Sequence, residues 1–147
     1  MSSTPRFGLP LLTVAQAQKE VTHNEALALI DALVQAAVEA GPQADPPAEA
    51  GEGQCWLVGA GATGGWAGQA DMLAIRTSGG WRFVAARAGM RVVRLADGAW
   101  LRFDGEGWIA PAEIAGPSGG STIDSEARSV LAALITLLAA HGLLISG

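Results

Sequence analysis

Residues 17–34, AQKEVTHNEALALIDALV, gather one histidine and three carboxylates, His23, Glu20, Glu25 and Asp31, within twelve positions. Those are the residue types of a metal site or an acid–base centre. The spacing does not serve either chemistry. A zincin helix presents two histidines at i and i+4 to one ion, and here the next histidine after His23 is His141. The metal reading lacks ligands, and nothing else in the chain implies a cofactor. Thr22 and Glu25 have the spacing of a capping box, which assigns Glu25 to a helix end and leaves His23 and Asn24 in the first turn. A lone histidine with neither a nucleophile nor a metal partner makes a poor active site. The expectation is that His23 and Glu25 are structural.

The elements that hold this stretch follow from punctuation and period. With Gly41 past the last periodic residue, residues 23–40 read as a helix. Leu27, Ile30, Val34, Ala37 and Val38 form its apolar stripe, widened by Leu29, Leu33 and Ala36. Thr13 and Gln16 suggest a short helical turn over 14–20, led by Phe7, Leu9 and Leu11. Two stretches rich in Pro, Gly and Ala, GPQADPPAEAGEG (41–53) and PAEIAGPSGG (111–120), read as linkers. Between them GQCWLVG, DMLAIRT, GWRFVAA, MRVVRLA, AWLRFDG and GWIA are short apolar runs parted by glycine-bearing turns, the pattern of an antiparallel β-meander. The expected architecture is α+β: a domain over 1–110 with its N-terminal helix packed on a small meander, a linker over 111–120, and an apolar helix over 121–147 that oligomerises.

Bulk properties narrow the function. The chain has 147 residues and a formal charge of −5. That charge argues against nucleic acid, since phosphate binding is driven by Lys and Arg displacing counterions. Cys55 is the one cysteine, so no internal disulfide can form, and its place in an apolar run reads as a buried, inert thiol. MSSTPRFGLP has no long apolar stretch after a basic start, so no secretory signal is expected and synthesis in a cytoplasm follows.

Five Trp and no Tyr raise the idea of a carbohydrate site, with packing as the plainer use. At least three of the five indoles are expected in the core, Trp81 and Trp100 among them. Trp66, in the glycine-rich GAGATGGWAGQAD, is the indole expected to be exposed. It could stack on a sugar while Gln69 and Asp71 bond its hydroxyls. The competing reading is that Trp66 covers the sheet. Gly59, Gly61 and Gly64 spell the letters of a dinucleotide fingerprint, but no helix is expected to open there to hold a pyrophosphate. Six of the nine basic residues, Arg76, Arg82, Arg87, Arg91, Arg94 and Arg102, lie in the sheet region and read as its solvated face. A groove for an acidic polysaccharide or for a partner's carboxylates is the alternative.

In the last segment Ser121 and Asp124 read as a capping pair. Ile123, Ala127, Val130, Leu134, Leu137, His141 and Leu144 then follow at alternating steps of four and three, a heptad seam. Leu131, Ile135 and Leu138 widen it beyond a two-stranded stripe, which favours a homotrimer. The apolar run is too short to span a membrane. His141 reads as a polar residue near the bundle end, with a metal shared by three copies as the minor alternative.

The stretches TPRFGLPLLTVAQAQKEVTHNEALALIDALVQAAV, GQCWLVGAGATGGWAGQADMLA and GWRFVAARAGMRVVRLADGAWLRFDGEGWI, above all AQKEVTHNEAL and GATGGWAGQ, closely resemble the domain-of-unknown-function 2793 family. The resemblance covers residues 4–110. It implies a virion component of phage-like or gene transfer agent particles of alphaproteobacteria, often associated with tail fibres or head spikes that contact the recipient cell. It brings no catalytic residues. The expected function is therefore a structural part that attaches to the particle, binds the cell surface, or does both, alongside other virion proteins. The alternative is an enzyme acting on surface polysaccharide or cell wall, which would need a carboxylate pair. Asp71, Asp97, Asp104 and Glu106 are its only acidic candidates in the sheet region, and three of them fall in hairpin turns.

Overall fold

The computed structural model describes residues 3–12, 19–121 and 124–145. The expected turn over 14–20 lies largely outside them. Helix α1 (Lys19–Leu33) is followed by strands β1 (Ala37–Val38) and β2 (Ala40–Gln43), then β3 (Cys55–Val58), β4 (Leu73–Thr77), β5 (Gly80–Val84), β6 (Arg91–Arg94), β7 (Trp100–Phe103) and β8 (Trp108–Ile109), and finally helix α2 (Ser125–Ala140). The class is α+β, and no helix among the described residues is long and apolar enough to cross a membrane.

All six expected strands form, but in two four-stranded sheets, ordered β2-β3-β4-β5 and β1-β6-β7-β8. Each contains a three-stranded antiparallel run, extended by one parallel strand from the segment after α1. That segment switches sheets at Glu39, whose N–H donates to the Cys55 carbonyl at 2.8 Å while β1 pairs with β6. Such a crossing strand makes a corner between packed sheets. Ala32, Val38, Cys55, Leu57, Leu73, Ile75, Val92 and Leu101 meet between α1 and the two sheets as the main core.

The expected helix over 23–40 is shifted and cut short. Thr22 and Glu25 lie inside α1 rather than at its start, and Gln35 (φ 52°), not Gly41, takes the left-handed conformation after its end. Arg6 closes that end by donating to the carbonyls of Ala32 (2.7 Å) and Gln35 (3.2 Å), where a cation also complements the helix dipole. Ala36, Ala37 and Val38 satisfy their backbone in the second sheet instead. The contact side of α1 is built from Leu29, Ala32 and Leu33, while Ile30 and Val34 of the expected stripe are exposed. The expected 41–53 linker likewise contains most of β2. Gly41 is needed there because a Cβ would sit 2.5 Å from the Leu57 carbonyl oxygen.

Burial pushes the Cys55 thiol up to about 11, in keeping with the inert thiol expected of it. A reactive cysteine needs its thiolate. Against its ordinary value of 9.0, the thiolate population at pH 8 falls about 90-fold. A disulfide reagent is expected to modify the native protein slowly and the unfolded protein at once; equally fast modification of both would contradict the burial.

Candidate functional site

The glycine-rich loop expected to carry a sugar site is a packed cover. Its centre is a single 3-10 turn, Gly64–Trp66, tied down by Thr63, whose N–H donates to the Ala44 carbonyl at 3.0 Å. Trp66 is 0% exposed, which overturns its expected exposure and agrees with the competing reading. It packs edge-on to Trp81 at 5.2 Å between ring centroids, and Trp81 meets Trp56 in the same manner at 5.6 Å. These rings with Val58 and Ala74 form a second core on the far face of the first sheet, so β3 is buried on both sides. A buried indole offers no face to a sugar. Gln69 and Asp71 are half-buried on the descending arm of the loop. The Asp71 backbone joins the sheets: its N–H donates to Val58 (2.9 Å), and its carbonyl accepts the Trp108 indole N–H (3.0 Å). No α-helix opens after Gly59, as the discounted dinucleotide reading would require.

The histidine–carboxylate stretch disperses around α1. Glu25 forms an ion pair with Arg82 of β5. Asn24 holds Leu12 at both backbone atoms, accepting from its N–H (2.9 Å) and donating to its carbonyl (3.0 Å). Asn24, Glu25 and Arg82 line a cleft of about 280 Å³ with Thr77 and Ser78 from the β4–β5 turn. Asp31 points the other way and is 1% exposed. Its carboxylate accepts from the Thr4 hydroxyl (2.8 Å) and from the backbone N–H groups of Arg6 (2.8 Å) and Phe7 (2.7 Å). It thereby anchors residues 4–7 to α1. His23 is exposed on α1. No group of three or more His, Cys, Asp or Glu among the described residues is placed to hold a metal ion.

The outer face of the second sheet brings together two of the arginines expected on a solvated face, Arg91 and Arg102, with an indole that was not expected beside them. Strand β7 alternates strictly, with Leu101 and Phe103 inward and Trp100 and Arg102 outward. Trp100, expected in the core, is 45% exposed. The tally of buried indoles is accordingly smaller than expected: Trp56 and Trp66 are buried, Trp81 and Trp108 half-buried. Register places Arg102 between Arg91 of β6 and Ile109 of β8, so three outward side chains stand in one row beside the indole. With Pro111 and Leu143 they border a cleft of about 340 Å³. Of the arginines expected on a solvated face, Arg76 instead lies over the Trp81 ring, Arg82 pairs with Glu25, and Arg94 pairs with Asp97 and donates to the Gly41 carbonyl (3.1 Å). Arg91 and Arg102 are exposed and form no salt bridge among the described residues. The signal was present in the letters, since RVVR facing WLRF sets like charges opposite one another, but only the register reveals it.

Helix α2 presents the other surface. Its N-cap is Asp124, whose side chain accepts from the Ala127 N–H at 2.9 Å, in place of the expected capping pair with Ser121. None of its residues is buried. Val130 (68% exposed), Leu131, Leu134 and Leu137 face solvent, Ala127 and His141 are exposed, and Ile135 and Leu138 are half-buried. Ile123 lies outside the described residues. Past the helix the chain returns to the second sheet. Gly142 (φ 67°) is so close to Gly98 that a Cβ would meet its carbonyl oxygen at 2.2 Å. The Gly142 carbonyl accepts from the Trp100 N–H at 3.0 Å, and the Ile145 N–H reaches the Ala112 carbonyl at 3.4 Å.

No curated protein matches the chain in sequence. The model of a family of proteins of unknown function, DUF2793, matches residues 23–109. That span runs from the first turns of α1 to the end of β8 and leaves out the 3–12 segment and α2. The matched span is more than half of the chain, and by it the protein belongs to the DUF2793 family.

Proposed function

We propose that the protein is a structural component of a phage-like or gene transfer agent particle, of the fibre or spike type, which attaches to the particle or contacts the recipient cell surface. The observation that carries this reading is α2: a helix with no buried residue and with Val130, Leu131, Leu134 and Leu137 open to solvent. A contiguous apolar face of this kind calls for a cover. The four-three spacing of Val130, Leu134, Leu137, His141 and Leu144 fits copies of the same helix. The particle context is part of the proposal, taken from the resemblance of AQKEVTHNEAL and GATGGWAGQ to that family.

Two of the four acidic residues of the sheet region, Asp97 and Asp104, are held as carboxylates and do not suit the acid of a hydrolase. Arg94 holds the Asp97 carboxyl below the usual carboxylate range, and the turn amides of Glu106 and Gly107 do the same for Asp104. A glycosidase acid must instead be held protonated, with its pKa raised.

Light scattering tests the assembly. The intact chain is expected as an oligomer, most simply a trimer, and a chain ending at Pro117 as a monomer. An intact chain that stays monomeric at high concentration would sink the reading. The particle assignment is tested by electron microscopy of particles carrying the tagged protein, where absence of the tag from every particle would reject it.

A further inference from the structure

We infer that the outer face of the second sheet binds a carboxylated sugar, with Trp100 as the stacking platform and Arg91 and Arg102 as the carboxylate fork. The inference deepens the cell-surface part of the function proposed above and rests on that reading. Three observations converge on this face. Trp100 is 45% exposed on an interior strand, so the indole is not serving the core. Arg91 and Arg102 are direct cross-strand partners, with Cβ atoms about 5 Å apart, an arrangement in which like charges repel. Charges on a sheet commonly protect an edge from unwanted pairing, but Arg102 is paired on both sides, with Arg91 of β6 and Ile109 of β8; only Arg91, beyond the two positions that β1 pairs, has no strand on its other side among the described residues. Edge protection therefore leaves Arg102 unexplained, and the Trp100 indole, though its edge lies near Gly142, remains 45% exposed.

The chemistry of the cleft selects an occupant. Two adjacent guanidinium groups without a salt bridge attract a carboxylate, to which each can present two parallel N–H donors. Asp104, whose charge reaches Arg102, is engaged by the turn amides of Glu106 (2.8 Å) and Gly107 (2.9 Å). The indole, with Ile109, Pro111 and Leu143, adds an apolar wall on which the C–H face of a pyranose can lie. At about 340 Å³ the cleft has the size of a small-ligand pocket.

The test is a titration of the full chain with tetragalacturonate, beside maltotetraose as the neutral sugar and tetraglutamate as the acidic peptide. Binding is read by calorimetry and by the shift of one of the five indole N–H resonances. Tetragalacturonate is expected to bind at least about tenfold more tightly than either control, the equivalent of one good contact. Trp100→Ala and the double variant Arg91→Gln/Arg102→Gln are each expected to weaken it by about tenfold or more. The arginine double variant should melt within about 2 °C of the parent, since only exposed side chains change. Absence of tetragalacturonate binding, equal binding of tetraglutamate or maltotetraose, or undiminished binding by the arginine double variant would overturn the proposal. Should Trp100→Ala fail to fold, the arginine variant and the resonance shift still decide. Light scattering on the same samples separates the two ideas: an oligomer that ignores tetragalacturonate refutes the sugar site alone, and a monomer that binds it refutes the assembly reading alone.

Discussion

Replacing Trp66 by alanine is expected to lower the stability of the folded domain by about 3–5 kcal/mol, the range for emptying a large buried aromatic site. The loss combines transfer of the indole to water with a cavity that its neighbours cannot close. Trp81 and Trp56 are held by strand pairing with Ala74 and Arg76 of β4, so they are poorly placed to collapse into the space. The two edge-to-face contacts share Trp81, and loss of one member removes the support of the other. Against a typical domain stability of about 5–15 kcal/mol this is a large fraction. Chemical denaturation should show a much lower midpoint. Trp66→Phe should recover part of the loss, because a smaller ring fills part of the same site. A midpoint for Trp66→Ala within experimental error of the parent would show that the loop is not the cover of the first sheet.

Asp31→Ala is expected to cost about 3 kcal/mol and to free the N-terminal segment. Hydrogen bonds to a charged acceptor contribute about 1.5–3 kcal/mol each, and removing the acceptor strands its donors. Here a single carboxylate serves the Thr4 hydroxyl and two backbone N–H groups. Asp31→Asn keeps the shape but turns one acceptor into a donor, so it should fall between the parent and the alanine variant. A local readout accompanies the global one. Arg6 is held by the carbonyls of Ala32 and Gln35, and release of its segment should expose the Arg6–Phe7 bond to trypsin. Faster cleavage there, together with a lower melting temperature, is the expected pair. Unchanged values of both would mean that the segment is held by other contacts.

The strands were legible because each is a short apolar run closed by its own turn chemistry, as in the Asp97–Gly98 and Asp104–Gly105 turns. The end of α1 was not. Val34 to Val38 is rich in alanine and continues a helical pattern, and its local preference is overridden by pairing with β6, nearly sixty residues away. The cover formed by Trp66 was misread for a related reason. Composition marks a glycine-rich stretch as irregular, which is correct, but irregular backbone can still bury its one large side chain when a sheet face waits beneath it. Asp31 shows the converse: in the letters it is one acidic residue inside the apolar run ALALIDALV, and its role depends on Thr4, Arg6 and Phe7, brought to it from 24 to 27 positions earlier. The row on the second sheet required register, which periodicity alone does not supply.

The return of the chain after α2 has a mechanical meaning. The excursion leaves the second sheet after β8 and comes back at Gly142, bonded to Trp100, and at Ile145, bonded to Ala112. Both feet of the loop thus stand beside β7 and β8. A pull on the helix would be shared between two anchorages on the sheet instead of unravelling the chain from one. The first bonds to yield would be the Trp100–Gly142 and Ala112–Ile145 pair, before any strand of the second sheet has to open.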